Sequence, residues 1–310
     1  MKIIFIHFSD IQLFNQEQHP LNKPKKILWR PTMLEKRKKE TESNNKWIEK
    51  KLPQVGELSK IDPWWGLVAV VLAIILLLIF LKPDPYLRMF VYLKDGIWVT
   101  IYVTVISFAL ILVFGLIGGL GRVSKNKVFH GIISVYVEVI RGIPLMVQLL
   151  MWYFAFPAIV MNLGNKWNID WMKHYLANPL SMAVFGISFC YAAYMSEIVR
   201  AGIESLPAGQ MEAARSLGMN SSQAMFYVIL PQAYKTIMPA IGNEFISLLK
   251  DSSLVSTVAI MDLTRRGREF MSSTFLPIET WTMVALLYLL MTLLSARLMN
   301  MIEKKTKMVK

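Results

Sequence analysis

The polar stretch Glu197-Ile198-Val199-Arg200-Ala201-Gly202-Ile203-Glu204-Ser205-Leu206-Pro207-Ala208-Gly209-Gln210-Met211-Glu212-Ala213-Ala214-Arg215-Ser216-Leu217-Gly218, running on to Leu230-Pro231-Gln232-Ala233, stands between two long apolar blocks. Pro207 presets the backbone for a helix start, and Glu212, Ala213, Ala214, Arg215 and Leu217 favour the helical state, so a short helix is expected from about Ala208 to Leu217. Gly218 ends it, because glycine turns left-handed at no steric cost. Asn220 or Ser221 then caps a second short helix through Met225 to Leu230, with Pro231 closing it. Met211, Ala214, Leu217 and Gly218 share one side of the first helix, and most are small enough for another backbone to come close. Physics alone leaves two readings open: a docking handle, or an amphipathic helix lying on a lipid surface.

The surrounding chain favours a membrane setting. Its 310 residues are 55% hydrophobic, with a mean hydropathy of +0.43, which is too apolar for a typical soluble domain and long enough for several crossings. A net charge of +13 raises the question of nucleic acid, yet the basic residues flank apolar blocks as membrane orientation requires, so no nucleic-acid partner is expected. The single cysteine, Cys190, sits inside an apolar block as a small hydrophobe. His7, His19, His130 and His174 have no ligand spacing, and no metal site is expected. No Gly-x-x-x-x-Gly-Lys-Ser/Thr string occurs, so ATP handling falls to another chain.

Six crossings are expected, giving an all-α fold, with the fifth too polar for hydropathy alone to mark. Residues 1–63 read as a basic, solvated N-terminal segment that is partly helical or without fixed structure. Trp64 to Leu81 is an uncharged run led by paired tryptophans and forms the first crossing, with Pro83 and Pro85 in a short external loop after it. Gly96 to Gly121 is the second, at about 39 Å as a helix. Its glycines permit close packing, and Gly115-x-x-x-Gly119 is a weak dimer signal. The third runs from about Gly131 to Phe156 with a kink at Pro144, the fourth from Pro179 to Ser196, and a polar loop, Asn162 to Asn178, lies between them. The fifth, Thr236 to Met261, is interrupted by Glu244, Lys250 and Asp251, and the sixth is Thr280 to Ala296. Lys and Arg close to the crossings number fifteen on one side against eight on the other, which puts both termini and the handle inside. Arg265, Arg266 and Arg268 run against that rule, as a loop tucked into the protein would.

An intramembrane charge is costly unless paired or wet, which makes it a functional candidate. On the fifth crossing Glu244, Ser247 and Asp251 share one helical face, with Asn243 and Lys250 on the neighbouring one. This polar stripe offers a cation and acids to a zwitterion, or else fixes helix packing. Glu138-x-x-Arg141 and Glu197-x-x-Arg200 echo each other near the inner boundary, as a cross-helix ion pair bracing the handle or as snorkelling anchors.

The run Gly209-Gln210-Met211-Glu212-Ala213-Ala214, then Leu217-Gly218, then Leu230-Pro231-Gln232-Ala233, resembles the EAA loop of bacterial ABC-importer membrane subunits of the polar amino-acid permease type. The resemblance extends to Glu138-Val139-Ile140-Arg141-Gly142-Ile143-Pro144-Leu145-Met146-Val147-Gln148-Leu149, and to Asn243-Glu244-Phe245-Ile246 followed by Lys250-Asp251-Ser252-Ser253-Leu254. It covers roughly residues 96–310, with 64–95 as an added first helix and external loop. It implies a type I ABC-importer permease fold in the cytoplasmic (inner) membrane. It further implies alternating access, with Gly209, Gln210, Glu212, Ala213, Ala214, Leu217 and Gly218 coupling to a separate ATP-binding subunit that uses ATP and Mg. The helix carrying Asn243, Glu244, Ser247, Lys250 and Asp251 would line the path. Other implied partners are an extracytoplasmic substrate-binding protein, a second permease copy or a sister permease, and membrane lipid. A secondary amino-acid transporter, a permease for another small polar solute and a scaffold protein remain as alternatives.

Overall fold

The computed structural model describes residues 63–308, and all of its regular elements are helical. The basic segment expected over residues 1–63 therefore lies outside the described residues but for Pro63. Helix α1 (Pro63–Leu81) turns at Lys82 into α2 (Pro83–Arg122), which is kinked at Asp84 and runs helically from there to Arg122. The expected external loop is thus mostly helix. Pro83 stands in the first turn, where its missing N–H costs nothing, and the departure from helical geometry is confined to Asp84 (φ −101, ψ 118), which precedes Pro85.

The third crossing differs most from expectation. Asn126 caps α3 (Lys127–Gly142) by accepting from the amides of Val128 and Phe129, and the chain then breaks at Ile143, held extended by the following Pro144. The helix long and apolar enough to cross is α4 (Leu145–Trp167), so the span lies further along the chain and the polar loop after it is shorter than expected. Apolar residues recur on both sides of the break, through Val137, Val139 and Ile140 before it and Leu145, Met146 and Val147 after it, so a continuous span is expected although Glu138 and Arg141 interrupt it. After a short turn, α5 (Asp170–Lys173), Asn178 caps α6 (Pro179–Glu204). The handle follows as α7 (Ala208–Ser216) and α8 (Ser221–Ala224), the latter closed by a reciprocal capping box between Asn220 and Gln223.

Pro231 does not end a helix. A π turn, Met225–Ile229, carries the chain from α8 into α9 (Leu230–Asp251), with the Leu230 amide donating to the Met225 carbonyl. A second π turn, Met151–Ala155, precedes Pro157 within α4. In both places the wider turn relieves the carbonyl that a proline ring would otherwise strike four residues back. A 3₁₀ segment, Ser252–Val258, continues α9, and α10 (Leu263–Thr274) and α11 (Pro277–Met308) complete the chain.

Among the described residues five helices have the length and hydropathy of membrane spans: α1, α2, α4, α6 and α11. The sixth is α9, whose apolar side is buried through Ile241, Phe245 and Leu248 while its polar side keeps its mean hydropathy low. Packing centres on α2 against α6. A Cβ at Gly115 would stand 2.3 Å from Met195 Cγ and one at Gly119 2.4 Å from Val199 Cβ, so these glycines serve contact within the chain. Two apolar cores result. One joins α2, α6 and α9 through Ile111, Ile187, Met195, Val199 and Leu248. The other holds α1 against α11 and the start of α2 through Val71, Ile75, Met89, Leu93 and Met283, and the Trp64 indole donates to the Leu293 carbonyl at 3.1 Å.

Candidate functional site

The handle projects from the end of α6. Gly218 sits at φ +85, the left-handed turn expected of it, and its amide donates to the Arg215 carbonyl while Met219 donates to Ala214. Gly209, Gln210, Glu212, Ala213 and Leu217 are exposed, Leu217 at 82%. Ala214, 3% exposed, turns inward, and Met211 packs against the α2–α6–α9 core. The expected face of Met211, Ala214, Leu217 and Gly218 is therefore split. Helix geometry groups residues by angle, but it does not say which side the rest of the chain will cover. Gln232 on α9 donates to Gln210 Oε1 at 3.2 Å and ties the handle to the next membrane helix.

Beside the handle lies an ion-pair network whose centre sequence spacing does not reveal. Arg122, at the end of α2, meets Glu197 at 2.8 Å and Glu138 at 3.6 Å, and Arg200 pairs with both Glu197 and Glu204. The two Glu-x-x-Arg sequences are thus joined through a third helix, not directly. Arg122 reads in the sequence as one member of a basic turn, but its side chain is 13% exposed. Glu197 and Arg200 are half-buried while Glu138 and Glu204 are exposed, so the network is strongest around Glu197, where shared charges outweigh an isolated surface pair.

The polar stripe of α9 has two further contributors. Asp251 accepts a 2.6 Å hydrogen bond from the Tyr191 hydroxyl on α6, while Glu244 and Ser247 are half-buried and Asn243 and Lys250 exposed. Among the described residues no ion pair joins Lys250 to Asp251 or Glu244. Arg141, at the end of α3, places its guanidinium 5.4 Å from the Tyr194 ring centre, within electrostatic reach of Glu244. Tyr191 and Tyr194 lie with ring centres 5.9 Å apart. The surface so built carries acids on α9, a cation on α3 and phenols on α6 between them. Sequence reading missed both tyrosines, since nothing in the spacing of α6 distinguishes them from core aromatics. It placed Arg141 near the inner boundary, in an ion pair bracing the handle or as a snorkelling anchor, and not beside the acids of α9.

Gln148 on α4 holds the break beneath this surface. Its side-chain amide donates at 2.8 Å to the Ile143 carbonyl, which the interrupted α3–α4 helix leaves open, and at 2.8 Å to the Ile140 carbonyl, which also accepts from the Ile143 amide at 3.4 Å, and it lies 3.3 Å from Cys190 Sγ. On the opposite side, α10 packs on α2, with Arg265 and Arg266 paired to Glu269 and Arg266 stacked over Tyr92. That accounts for two of the three arginines that run against the charge rule, Arg265 and Arg266, while Arg268 is exposed.

Comparison with known proteins agrees with this architecture. Residues 111–308 match the family described as binding-protein-dependent transport system inner membrane component. The glutamine transport system permease protein GlnP of Escherichia coli (strain K12) is 33% identical over 217 residues, covering 70% of this chain and 94% of that protein. The L-cystine transport system permease protein TcyB of Bacillus subtilis (strain 168) is 40% identical over 177 residues, covering 57% of this chain and 70% of the relative. A crystal structure of an amino acid ABC transporter with histidines superposes with a TM-score of 0.61 at 37% identity, covering 73% of this chain and 98% of that one. The chain belongs to the binding-protein-dependent transport system inner membrane component family and is the multi-pass permease subunit of an ABC importer.

Proposed function

We propose that this permease imports a polar amino acid, and the observation that carries the reading is the mixed-charge surface of α9, α6 and α3. A zwitterion needs an acid for its ammonium and a cation for its carboxylate, and Glu244, Asp251 and Arg141 supply both around two hydroxyl-bearing rings. The transported compounds named for the relatives, glutamine and cystine, have this chemistry. Asn243, Ser247 and Lys250 extend the same path. The permease works with a second copy or a sister permease and with an extracytoplasmic binding protein that delivers the substrate. It sits in the inner membrane with both termini and the handle cytoplasmic, over a core of residues 96–310 to which 64–95 add a helix.

The handle is the coupling element. Gly209, Gln210, Glu212, Ala213, Leu217 and Gly218 dock on a separate ATP-binding subunit, which holds ATP and Mg, and Ala214 seats the handle on its own bundle. No phosphate-cradling motif occurs in this chain, in keeping with hydrolysis by the partner. Closure of the partner subunits draws the handles together and rocks the bundles, exposing the path to alternate sides. The test is uptake of labelled amino acids by proteoliposomes holding the purified complex and its binding protein. Uptake should require internal ATP, should survive collapse of the proton gradient, and should fall at least tenfold in Asp251→Asn while the complex still assembles. Gradient-driven uptake without ATP would establish a secondary transporter instead, and loss of assembly in Asp251→Asn would reduce the stripe to a packing device.

A further inference from the structure

A cavity of about 380 Å³ opens between α2, α3 and α6, lined chiefly by Phe114, Ile117, Ile132, Tyr136, Phe185 and Phe189. A second, of about 190 Å³, shares Phe189 and continues along α4 past Ile140 and Trp152. Together they form one gutter. The hydroxyls on its wall are already engaged with backbone: Tyr136 donates to the Phe189 carbonyl and Ser188 to that of Val184 at 2.6 Å. The gutter therefore presents carbon to whatever fills it.

Two observations identify the occupant. On α6, Phe185, Ser188, Phe189 and Ala192 point roughly 140° away from Tyr191 and Tyr194, so the gutter faces away from the mixed-charge surface. It opens instead beside Ile132, which is 63% exposed among the apolar residues on the outer side of α3. The second observation is charge. The turn joining α2 to α3 carries Lys125 and Lys127, both exposed, and no acidic residue lies between Arg122 and Glu138. The nearest carboxylates, Glu138 and Glu197, are held by Arg122. Ile132 stands about 8 Å along α3 from Lys127, so a cationic rim and a carbon-lined gutter follow one another as the parts of a lipid do.

We infer that this gutter is a binding site for an anionic glycerophospholipid, with an acyl chain along Phe114, Ile132 and Phe189 and the phosphate at Lys125 and Lys127. Each lysine near a membrane surface raises anionic-lipid affinity about fivefold, so the pair confers a preference on the order of thirtyfold over a zwitterionic lipid.

The purified importer complex is to be reconstituted in nanodiscs of equal parts phosphatidylglycerol and phosphatidylcholine, re-extracted in mild detergent, and its retained lipid identified by native mass spectrometry. The wild type should keep phosphatidylglycerol preferentially. Lys125→Gln with Lys127→Gln should abolish the preference, and Ile132→Trp, which fills the mouth from an exposed position, should reduce retention of both lipids. Equal retention of the two lipids by the wild type, or an unchanged preference in the double lysine variant, overturns the proposal. So does cross-linking of Ile132→Cys, in a Cys190→Ser background, to a second copy of the chain, which would show that a protein covers this face.

Discussion

Gln148 and Asp262 are the two buried polar side chains on which the local geometry depends most. Replacing Gln148 with leucine takes the side-chain donor from the part-buried Ile143 carbonyl and leaves the Ile140 carbonyl only the Ile143 amide, at a cost on the order of 1 kcal/mol. Gln148→Leu should therefore lower the thermal unfolding midpoint of the purified protein, while Cys190→Ser, which removes only the weaker sulfur contact, should leave it nearly unchanged. Asp262, between α9 and α10 and outside the membrane helices, accepts from the amides of Arg265 (2.9 Å) and Thr264 (3.2 Å) and from the Tyr288 hydroxyl (3.3 Å). Burial nevertheless pushes its carboxyl up to about 6. A carboxyl raised in the folded state holds its proton longer than in the unfolded chain. The contribution of Asp262 to stability is then greatest below about pH 4, falls as pH rises towards 6 and is level above that, by a total on the order of 3 kcal/mol. Thermal unfolding followed from pH 4 to 7 should show this step, and Asp262→Asn should remove it.

Among the elements, α7 is the one most legible in the sequence. Proline and glycine act on their own backbone, so Pro207 and Gly218 mark its limits without reference to the rest of the fold. The inward turn of Ala214 was not legible, nor was Arg122 as the hub of the ion pairs, because both depend on which helix comes to lie alongside. Pro144 and Pro231 show the same limit. One follows a break in the helix at Ile143 and the other is absorbed by a π turn, and nothing in the residues beside either proline says which. For the handle itself, Gly218→Val has open space around it but forces a β-branched residue to φ +85, a strain of about 1–3 kcal/mol that should tilt α7 without unfolding the bundle. Glu212→Lys reverses an exposed charge. Both variants should insert normally, yet release the ATP-binding subunit or hydrolyse ATP without uptake, as measured by co-purification and by ATPase-to-uptake ratios. Full transport with both present would make α7 a surface helix only.

For the whole molecule, the orientation rests on lysine and arginine placement. In a Cys190→Ser background, a cysteine at exposed Asn165, at the end of α4, should react with an impermeant thiol reagent in intact cells, whereas one at Ser221 in the handle should react only after lysis. The reverse pattern would invert the topology. Apolar run lengths reveal most of the membrane helices but not α9, whose polar stripe lowers its hydropathy, and the pairing of α1 with α11 is not readable either, since a helix apolar on every side gives no angular clue to its neighbour. The π turn at Met225–Ile229 has one more consequence at this scale. An α-helix advances about 100° per residue, so the extra residue a π turn accommodates sets the rotation of everything after it. With that residue Asp251 comes round to meet Tyr191; one residue fewer would turn it by about 100° away from that hydroxyl. The turn works as a clocking device, keeping the lever at one end of α9 in step with the polar face at the other.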